Sequence, residues 1–189
     1  MLDVDLFKQA MSCFPTGVTL VTTTDDDDKN WGFTANAFSS LSLDPPMVLV
    51  CVSKEADCCS AFRSAKKFGV NILRREHESL ARRFATKGKD KFAGGGFRKG
   101  NLGVPILPDA LAILECTTDT LVPGGDHTIL IGLVEHAKVQ DGYAAIYFRS
   151  AFHSLTQQRS VNLATIPSIC RVHDGGLDFV MDMDAYRLA

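Results

Sequence analysis

The stretch from Gly32 to Pro46 combines small residues with many uncharged hydrogen-bond donors. Its first half alternates as a strand would, with Phe33, Ala35 and Ala37 on one face. Its second half is rich in serine and is closed by two prolines, which lack an N–H and disfavour helix before them. Such a surface suits a planar polar ring with a phosphate tail, although its local composition equally fits an ordinary strand edge with a serine-rich corner.

Several common nucleotide and metal motifs are excluded by spacing. The run from Gly94 to Gly100 is not GxGxxG, because its third glycine comes one residue late. Gly95 and Gly100 have P-loop spacing, but Asn101 stands where that motif needs lysine. The 6 cysteines show no zinc spacing, and no nucleophile motif accompanies Asp126-His127. The sequence therefore predicts neither a Rossmann nor a P-loop nucleotide site.

Four further segments follow a common order with the first stretch: Phe14-Pro15-Thr16-Gly17-Val18, Phe68 to Leu73, Asp90-Lys91-Phe92-Ala93-Gly94, and Gly125-Asp126-His127. Together the five segments resemble the short-chain flavin reductase family, the FMN-binding split-barrel reductases that serve two-component monooxygenases. The similarity covers residues 5–155. Each segment alone is weak evidence, but five in order are specific.

The resemblance implies a flavin site drawn from three segments. The first would contact the ring, the ribityl chain and the phosphate through Thr34, Ala35, Asn36, Ala37, Ser39 and Ser40. The second lies around a helix start, which can receive a phosphate, and comprises Ser53, Lys54, Glu55, Ala56, Ser60 and Ala61. The third supplies cations and an aromatic cover through Thr86, Lys87, Lys91 and Phe92. Asp57-Cys58-Cys59 departs from the commoner family pattern, and an acid pointing inward there would repel a phosphate.

The resemblance also implies where the nicotinamide nucleotide binds. His127 would face the flavin and help to hold the nicotinamide, which makes it the candidate catalytic residue. Arg149, Ser150 and Phe152 match family positions near the pyridine nucleotide, and Asp126 is expected to shape the turn. No metal ligand is expected.

The implied activity is hydride transfer from NADH or NADPH to FMN or FAD. The reduced flavin would then supply a partner monooxygenase, and a homodimer is implied because the family's flavin sites lie near a subunit interface. Two alternatives remain open: a flavin-binding oxidase or oxygenase on the same barrel, and a non-enzymatic carrier of flavin or haem.

Hydrophobic periodicity predicts the elements that must position these residues. Helices are predicted at 3–14, 57–66 (capped by Asp57) and 76–85, and a long loop at 86–103. Strands are predicted at 16–24, 47–53, 68–73, 111–119, 127–139 and 144–149. Helices placed between the strands of a mainly β chain favour a closed or split barrel over a βαβ fold, and the resemblance implies an antiparallel split β-barrel of the FMN-binding Greek-key type. Cys51 and Cys116 are expected in the core, and Cys58-Cys59 as reduced thiols at a helix start.

Composition limits the remaining possibilities. The chain of 189 residues fits one domain, with 46% hydrophobic and 22% charged residues. A net charge of −2 argues against general nucleic-acid binding, and the longest apolar run is too short to cross a membrane. The acidic N-terminus lacks the basic start of a signal peptide, so a cytoplasmic protein is expected. Residues 1–155 would form the reductase-like domain and 156–189 a C-terminal extension of unknown role.

Overall fold

The computed structural model describes residues 2–154, which form twelve strands and three α-helices. The helices are α1 (Val4–Ser12), α2 (Cys59–Ser64) and α3 (Glu78–Ala85), and a 3₁₀ turn at Arg75–His77 precedes α3. The strands are β1 (Thr16–Gly17), β2 (Thr19–Thr24), β3 (Asn30–Ala35), β4 (Phe38–Leu43), β5 (Pro46–Ser53), β6 (Lys67–Ile72), β7 (Arg98–Lys99), β8 (Pro105–Ile106), β9 (Ala112–Gly124), β10 (His127–Val139), β11 (Ala145–Phe148) and β12 (Ala151–Ser154).

Seven strands form one antiparallel sheet in the order β3-β2-β6-β9-β10-β5-β4. The edge strands β3 and β4 are consecutive in the chain and are joined by Asn36 and Ala37, so the sheet must bend until its edges meet. The backbone N–H of Cys51 donates to the Ala37 carbonyl at 3.1 Å, which fastens this junction to β5. A three-stranded sheet, β1-β11-β12, is separate. The prediction of a mainly β, antiparallel split barrel is confirmed.

Strand β2 is buried on both faces and separates two hydrophobic clusters. Leu20 belongs to one cluster and its neighbour Val21 to the other, and both side chains are fully buried. The first cluster lies between the sheet and α2 and includes Val21, Phe33, Val50, Phe62 and Phe68. The second lies between the sheet and α3 and includes Leu20, Leu73, Phe84, Ile106 and Leu107. Burial of each large side chain stabilises the fold by about 1.5–3 kcal/mol, so both faces of β2 contribute to holding β3 in place.

The predicted helix at 57–66 is shorter than expected, and its predicted cap is wrong. Cys58 is the residue before α2, and its side chain makes no capping hydrogen bond. The Asp57 carboxylate instead accepts a hydrogen bond from the backbone N–H of Gly88 at 2.9 Å. Asp57 therefore anchors the long loop rather than the helix, a role that depends on a residue far away in the sequence.

Four strands lie outside the predicted ranges: β4, β12, and the short strands β7 and β8, which pair with each other. The serines after Phe38 form edge strand β4 instead of only a corner, and β12 pairs with β11 to make a hairpin. The turn of that hairpin places Arg149 and Ser150 at positive φ, 47° and 61°. Non-glycine residues rarely adopt this conformation, so no turn signal marks the hairpin in the sequence.

Helix α1 begins after Asp3, whose side chain accepts a hydrogen bond from the Asp5 N–H at 2.8 Å. In the described part of the chain, no residue of α1 is buried, and Leu6, Phe7 and Met11 are each more than half exposed. Within residues 2–154, no helix has the length and apolar character needed to cross a membrane. The expected extension at 156–189 lies outside the described residues.

Candidate functional site

A cavity of about 700 Å³ lies where β3 ends and β4 begins, beside the C-terminal end of α1; we call it the α1 cavity. Three residues predicted to contact flavin line it: Asn36, Ala37 and Ser39. Its remaining lining is mostly apolar and comprises Met11, Phe14, Pro15, Thr16, Gly17, Thr19, Phe38, Leu49, Cys51 and Ile72. Its size and its mixture of apolar walls with a few polar groups are typical of small-molecule sites.

Thr16 gives the α1 cavity an unused polar group. Its hydroxyl oxygen is buried yet has no hydrogen-bond partner among residues 2–154. Such a group normally finds a partner, because leaving it unpaired costs about 1–3 kcal/mol. Thr16 is therefore a candidate ligand contact that the sequence reasoning missed. Its segment, Phe14–Val18, carries part of the family resemblance, but no site role was predicted for Thr16.

A second cavity, of about 560 Å³, lies at the other end of β3; we call it the loop cavity. Its lining comprises Lys29, Asn30, Trp31, Gly32, Asp57, Gly88, Lys89, Asp90, Lys91 and Phe92. The Lys91 ammonium donates to the Gly32 carbonyl at 3.1 Å. An ammonium has three donor protons, so two remain for an anion. Lys91 and Phe92 were predicted as site residues, whereas the contributions of Lys29 and Trp31 were not.

Phe92 is fixed by an aromatic cluster, which we define as Phe84, Phe92 and Phe97. Its ring centroid lies 5.1 Å from that of Phe84 on α3 and 4.9 Å from that of Phe97, both in edge-to-face geometry. Edge-to-face contacts of this kind add about 0.5–1.5 kcal/mol each beyond simple burial. The cluster therefore holds the middle of the long loop against α3, with Lys91 next to β3.

The side chains of Thr34 and Ala35 on β3 have little capacity left to contact a ligand. The Thr34 hydroxyl already donates to the Ala81 carbonyl on α3 at 2.6 Å, so it has only acceptor capacity left. The Ala35 side chain is buried in the core, so its remaining contact with a ligand is through the backbone. Ser40 lies on edge strand β4 and is exposed.

The end of β5 lies beside the start of β10. Ser53 is the register partner of His127 across the two strands. The Lys54 backbone N–H donates to the Asp126 carbonyl at 2.9 Å, and its ammonium donates to the Gly125 carbonyl at 2.5 Å. These bonds hold the Gly125–Asp126 turn against the end of β5 and so fix the position of His127.

His127 Nδ1 lies 2.8 Å from an Asp126 carboxylate oxygen. Because a carboxylate only accepts, Nδ1 carries the proton in this contact, and Nε2 is left to face a ligand. The hydrogen bond from His127 is the main reason that the pKa of Asp126 lies below its ordinary value. The His127 side chain is 42% exposed, so it is accessible to a ligand arriving from solvent.

The other predicted phosphate contacts are less well placed. Ser60 is exposed on α2, but Ala61 on the same helix is buried in the core. Lys87 forms an ion pair with Glu55 at 3.8 Å, and the Thr86 hydroxyl donates to the Arg82 carbonyl at 2.9 Å. These groups already have partners within the chain, so a phosphate would have to compete for them.

The predicted nicotinamide contacts on the β11–β12 hairpin form a separate group. The Arg149 backbone N–H donates to the Ser12 carbonyl at the end of α1, at 2.9 Å. The Phe152 ring packs against Tyr147, with 5.4 Å between centroids, and under the Arg82 guanidinium. Ser150 lies in the hairpin turn. These contacts hold the hairpin against α1 and α3, whereas the turn that carries His127 is held against β5. The chain's own contacts therefore do not bring His127 together with the hairpin residues.

The described cysteines are free thiols in contrasting surroundings. Burial raises the pKa of Cys58 to about 11 and that of Cys116 to about 12. Cys59 is buried beside Cys58, as expected of reduced thiols at a helix start. Cys51 is only half buried and lines the α1 cavity, and desolvation raises its pKa as well. The expectation of a core position is therefore confirmed for Cys116 and only partly for Cys51.

A family model for the flavin reductase like domain matches residues 11–156. The chain is 42% identical over 154 residues to the actinorhodin polyketide dimerase of Streptomyces coelicolor, covering 81% of this chain and 87% of that protein. It is 38% identical over 153 residues to the NADH:riboflavin 5'-phosphate oxidoreductase of Streptomyces pristinaespiralis, covering 79% and 87%. It is also 38% identical over 134 residues to the reductase subunit HsaB of a flavin-dependent monooxygenase from Mycobacterium tuberculosis, covering 71% of each.

A similar fold occurs in a solved structure of the NADH:FAD oxidoreductase SgcE6 of Streptomyces globisporus, which contains NAD and FAD fragments. The TM-score is 0.79 at 34% sequence identity, over 84% of this chain and 96% of that one. The named relatives thus include proteins that use FMN and proteins that use FAD.

Proposed function

The chain belongs to the flavin reductase family, and from this premise we propose that it uses NADH to reduce a flavin held along strand β3. Its activity is that of an oxidoreductase acting on a reduced nicotinamide and a flavin. The reduced flavin would pass to a partner monooxygenase, as the name of the Mycobacterium tuberculosis relative indicates for that protein. We further propose a cytoplasmic location, where NADH is available.

The observation that carries the proposal is the pair of cavities at the two ends of β3. The α1 cavity offers apolar walls with the unpaired Thr16 hydroxyl and the Asn36 side chain, which suits the flavin ring. The loop cavity offers the Lys91 ammonium, fixed at Gly32, which suits the phosphate. Strand β3 connects the two, so the ribityl chain would run along Thr34 and Ala35.

The chain's own contribution to the reaction is positioning. Bound flavin supplies the hydride acceptor and the nicotinamide supplies the donor, so no protein nucleophile is needed. The residues of the α1 cavity exclude water from one side of the ring, and Lys91 sets its register along β3. His127, whose Nδ1 is bound to Asp126, would hold the nicotinamide through a hydrogen bond at Nε2. Holding two reactants in contact in this way is itself a large rate effect.

We also propose that the protein is a homodimer. The apolar residues of α1 are unusually exposed: Phe14, just beyond the helix, is 67% exposed and Met11 is 54% exposed. Both line the α1 cavity, so a second copy covering α1 would also close one side of the flavin site. Exposed apolar side chains in a contiguous helix face are typical of subunit interfaces.

The proposed activity is tested by following oxidation of NADH and of NADPH by purified protein, with and without added FMN or FAD. Oxidation that requires added flavin is the expected result. Bound flavin without oxidation of either nicotinamide would contradict the proposal. That outcome would favour direct use of flavin on an organic substrate; the Streptomyces coelicolor relative is named for such a substrate, a polyketide.

Lys91→Ala is expected to raise the dissociation constant for flavin by about tenfold, because one charge-assisted hydrogen bond to the phosphate is lost. Equilibrium dialysis with FMN measures the change. Lys138→Ala is the matched control, since Lys138 is exposed on β10 and lines neither the α1 cavity nor the loop cavity. Equal affinity in the Lys91 variant and the wild type would show that the phosphate binds elsewhere.

Saturating flavin is expected to protect Cys51 from alkylation, because its thiol lines the cavity assigned to the ring. Labelling with iodoacetamide, followed by peptide mass spectrometry, measures this site by site. Exposed Cys13 serves as the internal reference and should react equally with and without flavin. Cys58 should stay unlabelled in both at pH 8, since a thiol with a pKa of about 11 is roughly one-thousandth thiolate there. Unprotected Cys51 would rule out the α1 cavity as the ring site.

A further inference from the structure

We propose that the loop cavity binds the adenosine diphosphate half of FAD, so that FAD is preferred over FMN. This inference rests on the proposed function, because it takes the flavin ring to lie in the α1 cavity. It goes further in choosing between the two flavins, which the named relatives do not decide.

The spacing along β3 favours the longer flavin. Asn36 lines the α1 cavity and Trp31 lines the loop cavity, five residues apart in an extended strand. At about 3.3 Å per residue, the two positions are about 17 Å apart. The Lys91 ammonium binds the carbonyl of Gly32, which is the neighbour of Trp31 on the side nearer the α1 cavity. A flavin whose first phosphate meets Lys91 therefore has space beyond that phosphate, at Trp31. FMN ends at this phosphate, whereas FAD continues into the cavity.

Trp31 provides an aromatic surface in that space. Its indole N–H donates to the Asp25 carboxylate at 2.6 Å, which fixes the plane of the ring. One part of the side chain packs against the first core cluster, so the residue is half buried. The Lys29 ammonium lies 4.1 Å from the ring centroid, in a cation–π contact. Because the lysine is exposed and flexible, it can move aside for a purine and then pair with a phosphate.

The charges that face the loop cavity suit a pyrophosphate. Lys29, Lys89 and Lys91 supply three positive charges, and Asp57 and Asp90 supply two negative ones. Both carboxylates are turned to the loop's own backbone: Asp57 accepts from the Gly88 N–H at 2.9 Å, and Asp90 accepts from the Phe92 N–H at 3.1 Å. In the described part of the chain, Lys89 has neither an ion pair nor a hydrogen bond. It is therefore available for a phosphate oxygen.

An adenosine diphosphate group could also come from NADH, so the test must separate the two sources. Dissociation constants for FAD and FMN are measured by equilibrium dialysis for the wild type, Lys89→Ala and Trp31→Leu, and KM for NADH is measured with FMN as acceptor. Both variants are expected to bind FAD about tenfold more weakly, with FMN affinity and KM for NADH unchanged within about twofold. Lys138→Ala should match the wild type in every measurement.

Three results would overturn the inference. Equal losses for FAD and FMN would place Lys89 and Trp31 near the shared part of the flavins. A rise in KM for NADH without a change in FAD affinity would assign the cavity to the nicotinamide nucleotide. Absence of binding of either flavin to the wild type would remove the proposed function itself. Lys89 is exposed, so its variant keeps the test decisive if Trp31→Leu fails to fold.

A direct signal supports the measurement. Trp31 is the single tryptophan of the chain, so its fluorescence reports the loop cavity alone. ADP, which carries no flavin ring, is expected to change this fluorescence in the wild type, and Lys89→Ala should need about tenfold more ADP for the same change. An unchanged fluorescence spectrum at ADP concentrations high enough to displace bound FAD would contradict the binding of an adenylate at Trp31.

Discussion

Replacing Asn71 with alanine is expected to lower the free energy of unfolding by about 2–4 kcal/mol. Asn71 is fully buried in β6, where its amide donates to the Leu20 carbonyl at 3.0 Å and accepts from the Leu107 N–H at 2.7 Å. The amide thus links β6 with β2 and with the segment after β8. Alanine would leave the Leu107 N–H buried without its partner and would open a small void.

Thermal or urea unfolding measures the effect, which should appear as a fall in Tm of roughly 5–15 °C. Asn30→Ala is the matched control, because Asn30 is exposed and its side chain accepts one surface hydrogen bond from Thr24. That variant should stay within about 0.5 kcal/mol of the wild type. A stable Asn71 variant would mean that water replaces the amide inside the core.

Replacing His127 with alanine is expected to lower kcat/KM for NADH by about 10–100-fold, with flavin affinity nearly unchanged. The reason is the loss of one directed hydrogen bond to the nicotinamide, and a fall of this size corresponds to about 1.4–2.7 kcal/mol of transition-state stabilisation. Asp126 orients the imidazole through the 2.8 Å contact, so the effect depends on a single group whose position is already fixed.

Steady-state kinetics at varied NADH, with flavin saturating, gives kcat and KM separately. His136→Ala is the control, since His136 is exposed on the same strand β10, where it is the register partner of Glu115 on β9. It should behave as the wild type. Unchanged kinetics in the His127 variant would exclude this histidine from the nicotinamide site, whatever the flavin measurements show.

The strands were the most predictable part of the fold. The range 127–139 was predicted as a strand and is the observed β10, in which every second residue is buried from 127 to 133 and the last five residues are exposed. Cys51, at the centre of a run read as buried, instead opens onto a cavity. Periodicity reports which faces are apolar, but it does not show where the sheet leaves a gap.

Sequence reasoning missed several contacts that join residues far apart in the chain, as well as a turn whose residue types give no signal. Asp57 has the right type and place for a helix cap, yet it binds Gly88 in the long loop. Trp31 becomes part of a site only because the loop carrying Lys91 folds over Gly32. Arg149 and Ser150 turn the β11–β12 hairpin with positive φ angles that their residue types do not announce. Local patterns contain none of this information.

The aromatic cluster of Phe84, Phe92 and Phe97 has a consequence for the speed of turnover. Its ring contacts fix the segment around Lys91 against α3 through the chain's own side chains, which favours a loop that is ordered before a flavin arrives. Ordering a loop slows association and subtracts from affinity, and a prebuilt site avoids both effects. At the proposed flavin site, we therefore expect oxidised flavin to enter and reduced flavin to leave at rates governed by diffusion and contact strength rather than by rearrangement of the loop.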